Sequence, residues 1–218
     1  MAVELYDEHE QSERVRNWLR ENGVSILMGV VLALAGIFGW RQWQDYRAEQ
    51  AALANEYFTV IQQDLQADRL ESAAEQFAAM REAAGSNGYV ALAGMLLASS
   101  QAEAGNNDAA AGILSDLLGG GKWKALEPLI RLRLAQVESA RDNAEAGLAL
   151  LQGDPPTGFE ALWYETRGDL LRDLGRLEQA ANAYSLAVEQ LRGEGSNFRQ
   201  ARTKLDAVRS QAGLAEAS

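Results

Sequence analysis

Apolar side chains are distributed along this chain in two ways. From Gly23 to Trp40 they form one run, GVSILMGVVLALAGIFGW, with no charged residue and Ser25 as the only polar side chain. After it they recur every three or four residues, the spacing that gives a helix one apolar stripe. The run predicts a membrane-spanning helix, because 18 residues at about 1.5 Å each reach roughly 27 Å, close to the hydrocarbon thickness of a bilayer. Trp18, Trp40 and Trp43 stand where the two headgroup layers would lie, and Arg20 and Arg41 close the ends.

Three other readings compete for this run. A buried core helix is usually shorter and would need cover on all faces. A cleavable leader fits Ala33-Leu34-Ala35, but the stretch before the run is long and acidic, and the apolar residues continue to Trp40. A helix-packing seam rests on Gly29, Ala33 and Gly36, small residues that let helices approach closely in lipid. The membrane-anchor residues are therefore Gly23, Gly29, Ala33, Gly36 and Trp40.

Residues 8–21 place Val15, Trp18 and Leu19 at helical spacing, so a short helix leads into the span. RQWQDYRAEQAAL, residues 41–53, has no breaker and continues the helix outward. Beyond it no alternating run of Val, Ile and Thr suggests a strand. Instead the helices repeat. Within Ala161 to Glu194, Tyr164, Gly168, Leu171, Gly175, Ala180, Tyr184 and Ala187 follow the spacing of a 34-residue tetratricopeptide unit. Gly168 and Ala180 are small where paired helices approach, and Tyr184 is expected to fill the gap to the neighbouring pair.

Weaker copies precede this unit. Ala98, the turn GNND, Ala110, Leu114 and Leu117 form one. Pro128, Ala135, Asp142, Gly147 and Leu151 form another, with Gly147 and Leu151 on its second helix. The first, from about Ala54, has a turn near Asp68 followed by Ala73, Phe77 and Met80. Successive offsets are 37, 37 and 33 residues. Gly119-Gly120-Gly121 and the stretch from Gly153 to Gly158 are connections. FRQARTKLDAVRS then predicts a terminal helix with its basic residues on an outer polar side, the cap that a repeat array requires. The fold class is thus all-α, a single N-terminal transmembrane helix followed by a tetratricopeptide-like hairpin solenoid. The segments are a tail over 1–22, the span over 23–40, a helical connection over 41–53, the repeat domain over 54–210 and a frayed end over 211–218.

About 175 residues follow the span, enough for one domain with a sizeable core. Net charge is −11, with six acids against three arginines before the span and 25 acids against 17 bases after it. Nothing resembles the clustered Lys and Arg of a nucleic-acid surface. Cysteine is absent, which removes thiol catalysis, disulfides and cysteine metal sites. Arg14, Arg16 and Arg20 precede the span and Arg41 and Arg47 follow it, a small excess favouring an inside N-terminus.

Catalysis would need a nucleophile with a base, a metal cluster or a phosphate cradle. The domain has no histidine, since His9, the single one, lies in the acidic tail as a bystander. Glu165 and Asp169 share a helix face, but Arg167 and Arg172 are near enough to pair with them. GGGK at 119–122 lacks the spacing and hydroxyl of a phosphate loop. The chain reads as non-enzymatic, with no cofactor and no metal, and as a binding module. First helices of successive pairs line a concave face, here carrying Leu92, Met95, Leu129, Leu132, Gln136, Glu165, Asp169 and Arg172 as candidate partner-binding residues.

Taken together, RVRNWLRENG at 14–23, GWRQW at 39–43, LRLAQV at 132–137 and RGDLLRDLG at 167–175 make the chain resemble the YfgM family of Gram-negative inner-membrane proteins. That resemblance implies an ancillary subunit of the SecYEG translocon, with its N-terminus in the cytoplasm and its repeat domain in the periplasm. Partners implied are the translocon, a PpiD-like periplasmic chaperone and exported polypeptides passed on to chaperones, with a link from the tail to envelope-stress signalling. It brings no catalytic residues. The near-even arginine count also fits a cytosol-facing membrane-anchored repeat adaptor for another membrane complex.

Overall fold

A computed structural model describes residues 4–85, 87–191 and 195–213, with side chains from Glu13 onward; His9, Ser86 and Leu214 to Ser218 lie outside the described side chains. All regular structure among these residues is helical: α1 (Glu4–Gln66), α2 (Leu70–Ala84), α3 (Gly88–Glu103), α4 (Asn107–Gly119), α5 (Glu127–Ala140), α6 (Ala144–Leu150), α7 (Glu160–Asp173), α8 (Leu177–Gln190) and α9 (Ser196–Gln211). The chain divides into two units, Met1–Gln50 and Ala51–Ser218.

In the first unit the expected lead-in helix and span are one element, since α1 passes Gly23 and Gly39 without a break. None of its apolar window is covered by protein. Val24, Leu27, Leu32, Leu34 and Phe38 are each more than 60% exposed, an arrangement stable only where the surroundings are themselves apolar. A Cβ built on Gly29 or Gly36 would meet nothing within 4 Å. At the far end Trp40 and Trp43 meet at a tilt of 40° with centroids 5.1 Å apart, and the Arg47 guanidinium sits 4.7 Å over the Trp43 ring.

The second unit begins with the last turns of α1, where Ala54 and Ile61 are fully buried. From here the chain folds as successive hairpins: the end of α1 with α2, α3 with α4, α5 with α6, and α7 with α8, followed by α9. The four tight turns share one construction. In each, an amide bonds back five residues: Arg69 to the Asp64 carbonyl, Asn106 to Gln101, Asn143 to Glu138 and Arg176 to Leu171, all between 2.8 and 2.9 Å. Asp68, Gly105, Asp142 and Gly175 take positive φ there, closing each helix C-terminus. The turn frames repeat at the 37, 37 and 33 residue offsets.

Three turns add side chains across the same five-residue gap. Asp64 accepts from Arg69 at 2.7 Å and from Ser72 at 2.6 Å. The Asn106 amide donates to Gln101 at 2.9 Å, and Asn143 donates to Glu138 at 2.9 Å while Arg141 donates to it at 2.8 Å. The fourth turn places Leu171 at this position, buried against Ala180 and Tyr184.

Small residues set where helices cross. A Cβ on Gly94 would stand 2.8 Å from the Phe77 ring, and one on Gly147 would stand 2.8 Å from the Ala135 carbonyl oxygen. One on Gly168 would stand 2.6 Å from Tyr184, so this ring fills space inside its own hairpin as well as packing with Leu205 and Val208 of α9. Leu151 is not on the second helix as expected; α6 ends at Leu150 and Leu151 follows it as a buried residue. The helix stops because Gly153 turns with φ +83 and the residue before Pro155 avoids the helical region. The buried Trp163 indole holds this end, donating to the Leu151 carbonyl at 3.2 Å.

Candidate functional site

The first helices of the hairpins, α3, α5 and α7, and the terminal α9 build one face with two clefts. Met95, Ala98, Ser99 and Ala102 of α3 face Arg133, Gln136, Val137 and Ala140 of α5 across a cleft of about 190 Å³. The second, about 510 Å³, lies among Gln136, Ser139 and Ala140 of α5, Thr166, Asp169, Arg172 and Asp173 of α7, and Lys204 of α9. Gln136 and Ala140 border both. The periodicity explains the lining: Arg133, Gln136 and Ala140 rise along one side of α5, as Thr166, Asp169 and Asp173 do on α7.

Of the residues expected on this face, Met95, Gln136, Asp169 and Arg172 line the clefts. Leu92 is 41% exposed one turn before Met95, and Leu129 is half-buried one turn before Arg133. Leu132 is different. It is 1% exposed and packs with Ala135, Leu151, Trp163 and Leu170, so it belongs to the core and not to the face. Leu162 was missed although the repeat marks it: Leu92, Leu129 and Leu162 each stand six residues before Ala98, Ala135 and Gly168. Like Leu92 it is 41% exposed.

The wider cleft ends in a polar network. Lys204 donates to Asp169 at 2.8 Å and to Glu165 at 2.7 Å, the Tyr184 hydroxyl donates to Asp169 at 2.7 Å, and Arg172 approaches Asp169 at 3.5 Å and Asp173 at 2.8 Å. Ser139 donates to Asp173 at 2.7 Å. Burial pushes the Tyr184 phenol far above its ordinary range, and its bond to Asp169 adds to the effect. Burial alone would lower Lys204, but the bonds to Asp169 and Glu165 outweigh it and hold the ammonium charged above its usual range. Bonding to Asp173 raises Arg172.

Two expectations change here. The cation paired with Glu165 is Lys204, whereas Arg167 lines a different cleft of about 500 Å³ with Tyr164 and Leu186 beside α6 and α8. Lys204 itself faces α7 rather than the outer side of the terminal helix. Docking of α9 decides this, and no local pattern in the chain announces it. Chemically the face offers paired charges, amides, hydroxyls and apolar side chains, a set suited to holding polypeptide.

A tetratricopeptide repeat-like domain family matches residues 16–210. The chain is 30% identical to an ancillary SecYEG translocon subunit of Escherichia coli over 86% of its own length and 90% of that protein's. It is 30% identical to the ancillary SecYEG translocon subunit of Haemophilus influenzae over 94% and 98% of the two lengths. The corresponding Neisseria gonorrhoeae protein is 24% identical over 96% and 100%.

Proposed function

The chain belongs to the YfgM family of ancillary SecYEG translocon subunits with a tetratricopeptide repeat-like domain, and from that membership we propose that it is a non-catalytic scaffold of the inner membrane, working beside the translocon. Its apolar helix crosses the bilayer once, with the N-terminus in the cytoplasm and the repeat domain in the periplasm. Gly29, Ala33 and Gly36 offer the close-packing side of that helix. The face of α3, α5 and α7 receives an exported chain or a PpiD-like chaperone. The observation supporting this most directly is the opening of two adjacent clefts, joined at Gln136 and Ala140, on the first helices of a domain tethered by an uncovered apolar helix.

A photo-crosslinker at Gln136, in cells, tests the reading against one at Gly112, which is exposed on α4. Translocon subunits, chaperone or exported chains captured at Gln136 and not at Gly112 support it. Capture at Gly112 alone moves the binding face elsewhere. Protease added to intact spheroplasts tests the orientation, since a periplasmic repeat domain is digested and a cytosolic one is protected.

A further inference from the structure

We propose that the cleft between α3 and α5 selects a polypeptide segment carrying a carboxylate between apolar side chains, with Arg133 as its counter-ion. The inference rests on the reading that partners bind this face, and adds what they must carry.

Charge is balanced differently in the two clefts. In the wider one, Lys204 and Arg172 are held by Glu165, Asp169 and Asp173 of the same domain. Arg133 is the charged residue lining the narrower one, and among the described residues no carboxylate pairs with it. Its own helix supplies none, because the positions three and four residues away are Leu129, Ile130, Gln136 and Val137. Across the cleft stand Met95, Ala98, Ser99 and Ala102, and from α4 Asn107 and Leu114, none of them acidic.

The surroundings of this cation are mostly apolar. Ala98, Leu114 and Val137 are buried and Met95 is half-buried, so a docked segment would exclude water from the Arg133 guanidinium. A guanidinium in such a place binds a carboxylate by paired, charge-assisted hydrogen bonds and rejects a neutral amide of the same shape. The thioether of Met95 in the cleft and the exposed Leu92 one turn before it on α3 suit the apolar side chains next to that carboxylate. Since the chain carries a net charge of −11, an acidic partner is disfavoured over most of the surface. Arg133 gives such a partner a local positive point at this cleft.

The test uses the full-length chain in lipid nanodiscs with 13C-methyl-labelled methionine. The sequence holds four methionines; Met80 is buried in the core and Met28 lies in the span, and a Met95→Leu variant assigns the Met95 signal. The probes are acetyl-Leu-Leu-Asp-Leu-amide and its asparagine counterpart. The aspartate peptide is expected to shift Met95 and to bind about tenfold more tightly than the asparagine peptide. Arg133→Gln should erase that preference, and Arg133→Lys, which keeps the charge but not the paired geometry, should keep only part of it. Equal binding of both peptides at Met95 overturns carboxylate selection and leaves the binding face standing. No shift of Met95 with either peptide removes this cleft as a docking site, and crosslinking at Gln136 then decides separately whether partners bind the face at all.

Discussion

The Tyr184 ring lies against Gly168 so closely that a methyl group on the glycine would stand 2.6 Å from the ring edge. Gly168→Ala should lower stability by about 1–3 kcal/mol through overpacking. Gly112, helical and exposed with nothing within 4 Å of a built Cβ, is the control; alanine there should stabilise by up to about 1 kcal/mol. Chemical denaturation of the two variants separates crowding from helix propensity.

The ammonium of Lys204 joins α9 to two carboxylates of α7. Lys204→Met should cost about 1–3 kcal/mol and leave Glu165 and Asp169 repelling one another. Removing the half-exposed Arg131–Glu127 pair, four residues apart on α5, should cost no more than about 0.5 kcal/mol. Hydrogen exchange should locate the first loss in α9, and combining Lys204→Met with Glu165→Gln should recover part of it.

Asp64 gives the first hairpin an acid-sensitive turn. Bonds from Ser72 and Arg69 hold its carboxyl below the ordinary carboxylate range. A depressed folded-state pKa stabilises the fold above the unfolded value, near pH 4, and that contribution disappears as pH falls through the folded value. Asp64→Asn should therefore be less stable than the parent at neutral pH, and the gap should close below about pH 4. Acid titrations followed by circular dichroism check both the gap and its closing.

Placing arginine at Leu32, mid-span and 65% exposed, should cost about 2.5–3.5 kcal/mol of insertion free energy. Alkaline extraction of membranes should then release a larger share of the variant than of the parent. The same change at Leu186, 41% exposed on α8, should leave extraction unchanged.

Much of this architecture can be read from local chemistry. Small residues, positive-φ turn positions and a 3.6-residue apolar rhythm act within a few residues of one another, so four hairpins and their offsets are visible in the string of letters. The side-chain locks at Asp64, Gln101 and Glu138 were also within reach, since each pairs with a polar residue five positions on, but the repeat pattern alone gives no reason to look there. Arg133 follows from the period that places Gln136 on the face. Two outcomes lay beyond such reasoning. Leu132 shares the first-helix pattern of Met95 and Glu165, and only the packing of Trp163 and Leu151 decides that it is interior. Lys204 turns inward because an acidic pair on a helix 35 residues earlier awaits it, a contact between elements distant in sequence.

The turn locks have one more consequence. The Asp64 and Gln101 locks each close inside a single hairpin, so damage to either loosens its own pair of helices, whereas Arg141 of the Glu138 lock also donates to Asp108 of α4 at 2.8 Å and ties that hairpin to the one before it. The domain should yield in instalments, with labile ends and a persistent middle where Glu138 anchors both Arg141 and Asn143. A domain of that kind can give way at one edge and re-form without being rebuilt from the start.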